Sequence, residues 1–165
     1  MKRVYCWNLP FVWFLMILSI IVWALLGIMI NKKIYKRLNI ILAILSTAFI
    51  FYFTIYGREY SGEHTFVFFE PYTEEFIREM VMNIFLYLPL GLSFTALFGK
   101  WAAVIPVILS VGIELWQYNC CTGVAQGSDI IMNILGFLLG YLSVLLVHLG
   151  EKYNIKEKIV SFFNK

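Results

Sequence analysis

The chain has 165 residues, of which 61% are hydrophobic and only 14% are charged. Soluble domains average about 25% charged residues, so this composition excludes an ordinary soluble domain and indicates a protein whose solvent is lipid. The formal net charge of +3 is too small to indicate nucleic-acid binding, and we expect no nucleic-acid partner. Cys6, Cys120 and Cys121 form neither a disulfide framework nor a metal-ligand pattern, so we expect no metal and no cofactor.

Five apolar segments approach or exceed the length needed to cross a membrane. A hydrocarbon core of about 30 Å needs at least about 17 helical residues. Lipid offers the backbone no hydrogen-bonding partner, so each spanning segment must be a helix. The predicted spans are about 11–30, 38–56, 81–98, 101–121 and 129–148. The sequence therefore predicts an all-α integral membrane protein, a bundle of about five transmembrane helices in one domain covering residues 1–165.

Lysine and arginine are distributed unequally between the two sides that five alternating spans define. One side carries nine of them: Lys32, Lys33, Lys36, Arg37, Lys100, Lys152, Lys156, Lys158 and Lys165. The other side carries four: Lys2, Arg3, Arg58 and Arg78. Because cytoplasmic loops are enriched in basic residues, we predict that the N-terminus lies outside and the C-terminus lies in the cytoplasm.

The long connection between the second and third spans, residues 57–80, is acidic and aromatic. Its stretch from Phe66 to Tyr72 is predicted to lie in the membrane interface, where aromatic rings are enriched. Thr73 is predicted to cap a helix, because it is followed by Glu74 and Glu75, whose charges stabilise a first helical turn. That helix is predicted to continue into the third span and to be weakened or kinked at Pro89.

The strongly polar side chains of the last three spans fall at one end of the predicted bundle. The third span begins near Asn83, the fourth carries Glu114 and Gln117 near its end, and the fifth begins with Asp129 and Asn133. A carboxyl group inside a membrane costs about 2.5–3.5 kcal/mol, so these side chains are expected to face one another rather than lipid. One interpretation is a functional site; the alternative is a set of interhelical hydrogen bonds that only holds the bundle together.

The faces of the last two spans support this arrangement. At about 100° per residue, the fourth span has one polar stripe, formed by Pro106, Ser110, Glu114, Gln117 and Cys121. In the fifth span, Gly136 and Gly140 share a face with Asp129 and Asn133. Glycines four residues apart allow helix backbones to approach closely. We predict that this face packs against the Glu114 stripe, and the same glycines are candidates for oligomerisation.

Taken in chain order, these residues resemble the VanZ-like family, the relatives of the teicoplanin-resistance protein VanZ. The matching motifs are Asn83-x5-Pro89-x-Gly91, Ile113-Glu114-x2-Gln117 and Asp129-x3-Asn133-x2-Gly136-x3-Gly140-Tyr141. Phe69-Glu70-Pro71-Tyr72 resembles the Pro-aromatic segment that precedes the family's Asn helix, and Arg78-Glu79-Met80 resembles the lead-in of the family's namesake. The resemblance covers about residues 66–145. Two positions depart from the family pattern, because Gln126 stands where the family often has a first acid and Gly123 stands where it often has an arginine.

The resemblance implies a multi-pass protein of the bacterial plasma membrane that lowers susceptibility to lipoglycopeptide (teicoplanin-like) antibiotics. It implies no established enzymatic mechanism. We expect the protein to recognise an amphiphile at the outer leaflet, either the antibiotic itself or a lipid-linked cell-wall precursor, besides the surrounding membrane lipids. The candidate ligand-binding residues are Arg78, Asn83, Glu114, Gln117, Asp129 and Asn133.

Two other functions remain open at the level of the sequence. The first is a cell-envelope hydrolase or transferase acting on a lipid-linked substrate, with Glu114 and Asp129 as candidate catalytic residues. The sequence shows no nucleophile–base pair, no metal cluster and no second acid at Gln126, which weighs against an enzyme. The second is a small proton-coupled transporter, since a lone intramembrane glutamate suits proton coupling.

Overall fold

The computed structural model describes residues 9–56, 58–69, 71–155, 157 and 161. Within these residues the chain forms α1 (Leu9–Met29), α2 (Lys32–Phe51), α3 (Glu74–Phe98), α4 (Ile105–Cys120) and α5 (Gly127–Lys152). A π-helical segment, Tyr52–Tyr56, extends α2, and a 3₁₀ segment, Gly99–Val104, leads into α4. Two short strands, β1 (Thr65–Val67) and β2 (Val124–Gln126), pair in parallel. The prediction of an all-α membrane bundle is confirmed.

Four helical stretches are long and apolar enough to cross a membrane. They are Pro10–Met29, Lys32–Tyr56, Glu74–Cys120 and Gly127–Lys152. The third stretch has 47 residues and contains both α3 and α4, so it holds the third and fourth predicted spans. Large apolar side chains cover the outer faces of the helices; Ile44, Ile108 and Leu146, for example, are 64%, 66% and 57% exposed. Such a surface is suited to lipid, and it identifies the chain as a multi-pass membrane protein.

Two helices begin earlier than the predicted spans, because each has a capping residue. The side chain of Asn31 accepts a hydrogen bond from the Lys33 backbone at 2.8 Å, so α2 begins at Lys32 and its basic residues are helical. The predicted cap at Thr73 is confirmed, since its hydroxyl accepts a hydrogen bond from the Phe76 backbone at 3.1 Å. α3 continues through Pro89.

The closest helix contact joins α3 and α5. A Cβ added at Gly136 would overlap the backbone carbonyl of Ile84, and one added at Gly91 would overlap that of Phe137. At Gly140 it would come within 2.5 Å of the Leu88 carbonyl oxygen. The glycine face therefore packs inside the chain against α3, and the prediction that these glycines pack against the Glu114 stripe of α4 is wrong. The physical reason is Gly91, which gives α3 a matching small residue at the point of approach.

The ends of the bundle differ in character. At one end, the loop of residues 58–69 lies against the turn of residues 121–126, and we call these two segments the clasp. Thr65, Phe66 and Val67 of the loop pair with Val124, Ala125 and Gln126. The opposite, basic end contains the α1–α2 turn and the C-terminal end of α5, where Lys32 and Glu151 form an ion pair at 3.2 Å.

The apolar core lies along α3 in two layers. One layer joins α3 to α1 and α5 through buried side chains that include Met16, Leu88 and Val144. The other joins α3 to α2, α4 and α5, and its largest members, Tyr87 and Phe137, are fully buried. This second layer includes Ile113, the neighbour of Glu114 on α4.

Candidate functional site

Glu114 is the buried acidic residue of α4. All five residues of the predicted stripe, Pro106, Ser110, Glu114, Gln117 and Cys121, are buried, and Ile113 is buried as well. Glu114 is only 5% exposed, and its Oε2 accepts a hydrogen bond from the backbone N–H of Gln126 at 2.6 Å. This bond satisfies one of the carboxyl oxygens that burial removes from water. Strand β2 thus holds the carboxyl group of α4 in place.

Two charged groups lie close enough to act on the Glu114 carboxyl group, the Asp129 carboxylate and the Arg58 guanidinium. Asp129 lies in the first turn of α5 and is 8% exposed. A carboxylate is stabilised there by the positive end of the helix dipole. Arg58 reaches the cluster from the clasp loop, and its Nη1 lies 3.1 Å from where a Cβ at Gly123 would be. The absence of a side chain at Gly123 makes room for this guanidinium.

Gln117 joins α4 to the end of α2. Its side chain is fully buried, and Nε2 donates a hydrogen bond to the carbonyl oxygen of Thr54 at 3.0 Å. Thr54 lies in the π-helical segment, where the ordinary helical hydrogen-bond pattern is interrupted. Gln117 therefore supplies a donor to a backbone carbonyl at an irregular point of a membrane helix, where water is scarce.

Replacing Gln117 with leucine is expected to destabilise the protein by about 1–2 kcal/mol, because the Thr54 carbonyl would lose its side-chain donor in the interior. Thermal unfolding of the purified protein in detergent would measure the effect. Asn119→Ala is the matched control, since Asn119 is exposed and its amide donates a hydrogen bond to the Leu115 carbonyl of its own helix. Equal losses from both variants would contradict a special role for the Gln117 bond.

Two buried amide oxygens, on the helices that carry Glu114 and Asp129, have no hydrogen-bond partner among the described residues: Gln117 Oε1 and Asn133 Oδ1. The Tyr87 hydroxyl is also buried and lies beside Ser110, with the Glu114 and Asp129 carboxyl groups nearby. Leaving a buried polar group unpaired costs about 1–3 kcal/mol. Together, these atoms give the interior of the bundle more hydrogen-bonding capacity than the described chain uses.

Comparison with known proteins identifies the family. The family model VanZ/LLP1 matches residues 38–148, which is more than half of the chain. The chain belongs to the VanZ/LLP1 family. The match extends the predicted resemblance of residues 66–145 towards the N-terminus and includes most of α2. Searches of curated proteins and of solved structures give no significant match.

In this VanZ/LLP1 protein, the predicted site residues lie in different environments. Glu114 and Asp129 come together, while Gln117 and Asn133 are buried beside them on the same helices. Asn83 is half-buried on α3, one turn before Tyr87 and on the same face. The sixth residue, Arg78, is about 41% exposed and lies 3.9 Å from Glu74 in the first turns of α3.

The two departures from the family pattern both lie in the clasp. Gln126 contributes its backbone N–H to Glu114, while its side-chain Oε1 accepts a hydrogen bond from Ser128 Oγ at 3.1 Å. Gly123 leaves the space that Arg58 enters. An arginine is therefore present near Glu114 in this chain, although it comes from a different segment.

Three participants were not predicted as site residues, namely Arg58, Thr54 and Tyr87. Tyr87 has a usable sequence signal, because it lies four residues after Asn83 and shares its helix face. Arg58 and the Thr54 carbonyl have no such sequence signal. Their contribution depends on how the clasp loop and the π-helical segment fold, and no periodic pattern encodes either.

Proposed function

We propose that this VanZ/LLP1 protein lowers susceptibility to teicoplanin-like lipoglycopeptide antibiotics by recognising an amphiphile at the outer leaflet of the bacterial plasma membrane. The observation that carries the proposal is the buried polar cluster beneath the clasp. Glu114 is held there by the Gln126 N–H at 2.6 Å, close to Asp129 and Arg58. Burying two carboxyl groups in a membrane bundle is costly, so a purely structural role is a poor explanation of the cluster.

The chemistry of the cluster suits the polar head of an amphiphile. Carboxylates accept hydrogen bonds from hydroxyl, amide or ammonium groups, and the Arg58 guanidinium donates to phosphate or carboxylate. The Gln117 and Asn133 carbonyl oxygens, which have no partner within the described part of the chain, add further acceptors. The apolar surface of the helices would face the acyl chains. An apolar wall with a few directing polar groups is the usual composition of a small-molecule site.

The proposal places the clasp end at the outer surface, with the N-terminus outside and the C-terminus in the cytoplasm. Charge supports this orientation. Lys32, Lys33 and Lys152 lie at the basic end, while Arg58, the basic residue of the clasp loop, lies towards the Glu114 carboxyl group. An excess of lysine and arginine is typical of the cytoplasmic side.

Single cysteines introduced at two loops would test the orientation in intact cells. A cysteine at Gly62, an exposed residue of the clasp loop, is expected to react with a membrane-impermeant thiol reagent. A cysteine at Lys33, an exposed residue at the basic end, is expected to react only after the membrane is permeabilised. The reverse labelling pattern would move the polar cluster to the inner leaflet.

Recognition itself would be tested with purified protein in nanodiscs and two fluorescent probes, a teicoplanin-type lipoglycopeptide and an undecaprenyl-linked cell-wall precursor. Saturable binding of one probe, with the probe recovered unchanged, is the expected result. Arg58→Gln and Asp129→Asn are expected to weaken binding about tenfold or more, which corresponds to about 1.4 kcal/mol. Turnover of the precursor would support an envelope enzyme instead, and binding of neither probe would contradict the proposal.

A further inference from the structure

Three phenylalanines of the clasp loop are more exposed than covered. Phe66, Phe68 and Phe69 are 56%, 59% and 52% exposed, and we call them the aromatic face. The rings of Phe68 and Phe69 meet edge to face, with their centroids 5.0 Å apart. Residues 58–64 of the same loop are mostly polar or charged. The loop is therefore divided into a polar half and an apolar half.

The strand pairing shows which way the Phe66 ring points. Phe66 of β1 is in register with Ala125 of β2, and successive side chains of a strand point to opposite faces, so these two residues share one face of the sheet. Ala125 is only 1% exposed, so this face is turned towards the protein interior. Phe66 stays more than half exposed on the same face. Its ring therefore reaches beyond the side chains that cover Ala125.

The depth of the aromatic face follows from its contact with α5. A Cβ added at Gly127, the first residue of α5, would lie 2.7 Å from the Phe68 ring. This helix has 26 residues, and at about 1.5 Å per residue it is about 39 Å long. That length exceeds the hydrocarbon core of about 30 Å and approaches the about 40–45 Å of a bilayer with its interfacial regions. Gly127 and the Phe68 ring therefore lie at interfacial depth.

Contacts within the protein hold the clasp loop only weakly. No residue from 58 to 69, all of which the structure describes, is buried. The backbone N and Oγ of Ser61 donate to the Cys121 carbonyl oxygen at 2.6 Å and 2.8 Å, and the Ser128 N–H donates to the Phe68 carbonyl oxygen at 2.9 Å. Segments with few buried apolar contacts are the least stable parts of a fold. An apolar medium around the aromatic face would add the burial that the protein does not supply.

We propose that the aromatic face inserts into the phospholipid interface of the leaflet at the clasp end, and that this insertion keeps the clasp closed. Aromatic rings are enriched at the boundary between head groups and acyl chains, where their apolar area leaves water. Closing the clasp positions β2, whose residue Gln126 donates the hydrogen bond to Glu114. Lipid contact at the loop thus stabilises the buried carboxyl group. The inference narrows the interfacial segment predicted from the sequence to three rings, and it does not depend on the proposed antibiotic function.

Hydroxyl-radical footprinting of the unmodified full chain tests the location of the rings. The chain would be reconstituted in phosphatidylcholine nanodiscs that hold one copy each, and the oxidation of each ring would be followed by mass spectrometry. Tyr60, which is 75% exposed in the polar half of the same loop, is the matched control. After correction for intrinsic reactivity, Phe66 and Phe69 are expected to be oxidised about tenfold more slowly than Tyr60, because an inserted apolar face is withdrawn from bulk water.

The same nanodiscs distinguish lipid from other occupants of the aromatic face. A second copy of the chain cannot cover the face when each disc holds one chain, so oxidation of Phe66 and Phe69 as fast as Tyr60 would overturn the proposal. Phosphatidylcholine that carries a photoactivatable carbene precursor gives the complementary measurement. Its label is expected in residues 65–69 and not in residues 58–64. Labelling of residues 58–64 instead, or of neither segment, would also overturn the proposal.

Hydrogen exchange in nanodiscs tests the consequence for the clasp. Replacing both Phe66 and Phe69 with serine is expected to accelerate amide exchange across residues 124–126 about tenfold, which corresponds to about 1.4 kcal/mol. Tyr60→Ser is the control and is expected to leave that exchange unchanged. Equal rates in the double variant and the unmodified chain would overturn the claim that insertion holds the clasp closed. If the double variant does not fold, footprinting and lipid labelling of the unmodified chain still decide where the rings lie.

Discussion

Replacing Gly136 with leucine is expected to prevent α3 and α5 from packing and to destabilise the folded protein by about 3 kcal/mol or more. The reason is that even a Cβ at this position would overlap the Ile84 backbone of α3. Backbone atoms cannot move aside as a flexible side chain can, so the two helices would have to separate. Unfolding in detergent, with the yield of monodisperse protein as a second measurement, would quantify the loss.

The chain offers a matched control at Gly112, because a Cβ added to this exposed α4 glycine would meet nothing within 4 Å. Gly112→Leu makes the same chemical change at a site facing outwards, where leucine also favours helix more than glycine does. It is expected to be neutral or slightly stabilising. Similar losses from the two leucine variants would mean that Gly136 does not lie at a tight helix contact.

Replacing Glu114 with glutamine is expected to abolish the protection that the protein gives a sensitised host against a teicoplanin-like antibiotic. The substitution keeps the side-chain oxygen that accepts the Gln126 N–H, so the clasp should still form. It removes only the capacity to carry a negative charge, which the proposed recognition of a polar head group uses. Antibiotic susceptibility, measured at matched levels of membrane-inserted protein, would report the loss.

Two further variants are expected to reduce protection to different extents. Asp129→Asn is expected to cause a smaller loss of protection, because Asp129 lies in the first turn of α5, at the end of the bundle, whereas Glu114 lies within α4. Asn133→Ala is expected to lower both protein level and protection, since it removes a buried amide from α5. If a host that carries Glu114→Gln is protected as well as one that carries the unmodified protein, the Glu114 carboxyl group serves only in helix packing.

Much of the fold was accessible from the sequence because lipid imposes simple rules. Long apolar segments had to be helices. Thr73 marked the start of α3, and the helical repeat of α4 placed Glu114 and Gln117 on the face that is buried. The same periodicity grouped Asp129 with Asn133 on α5. These predictions needed only local chemistry and helical geometry.

The predictions that were wrong or missing concern which helices and loops pack against each other. Gly136 and Gly140 predict a close helix contact, but they do not identify the partner helix. That choice depends on Gly91 of α3, whose role is seen only when α3 is placed beside α5. The clasp was missed for a similar reason. Its strands have three residues each, too few for an alternating pattern, and each is stabilised by a segment that lies elsewhere in the chain. Because the clasp was not predicted, Arg58 was not predicted as a site residue either.

The clasp also imposes an order on assembly in the membrane. Ser61 and Cys121, which hold its two segments together, lie 60 residues apart in the sequence. A growing chain displays the loop first, then threads α3 and α4 into the bilayer, and only afterwards supplies β2. The Glu114 carboxyl group therefore depends on a hydrogen-bond donor that lies outside its own helix, 12 residues later in the chain. Truncated chains that end before Gln126 should thus retain α4 in the bilayer less efficiently than chains that include both segments of the clasp.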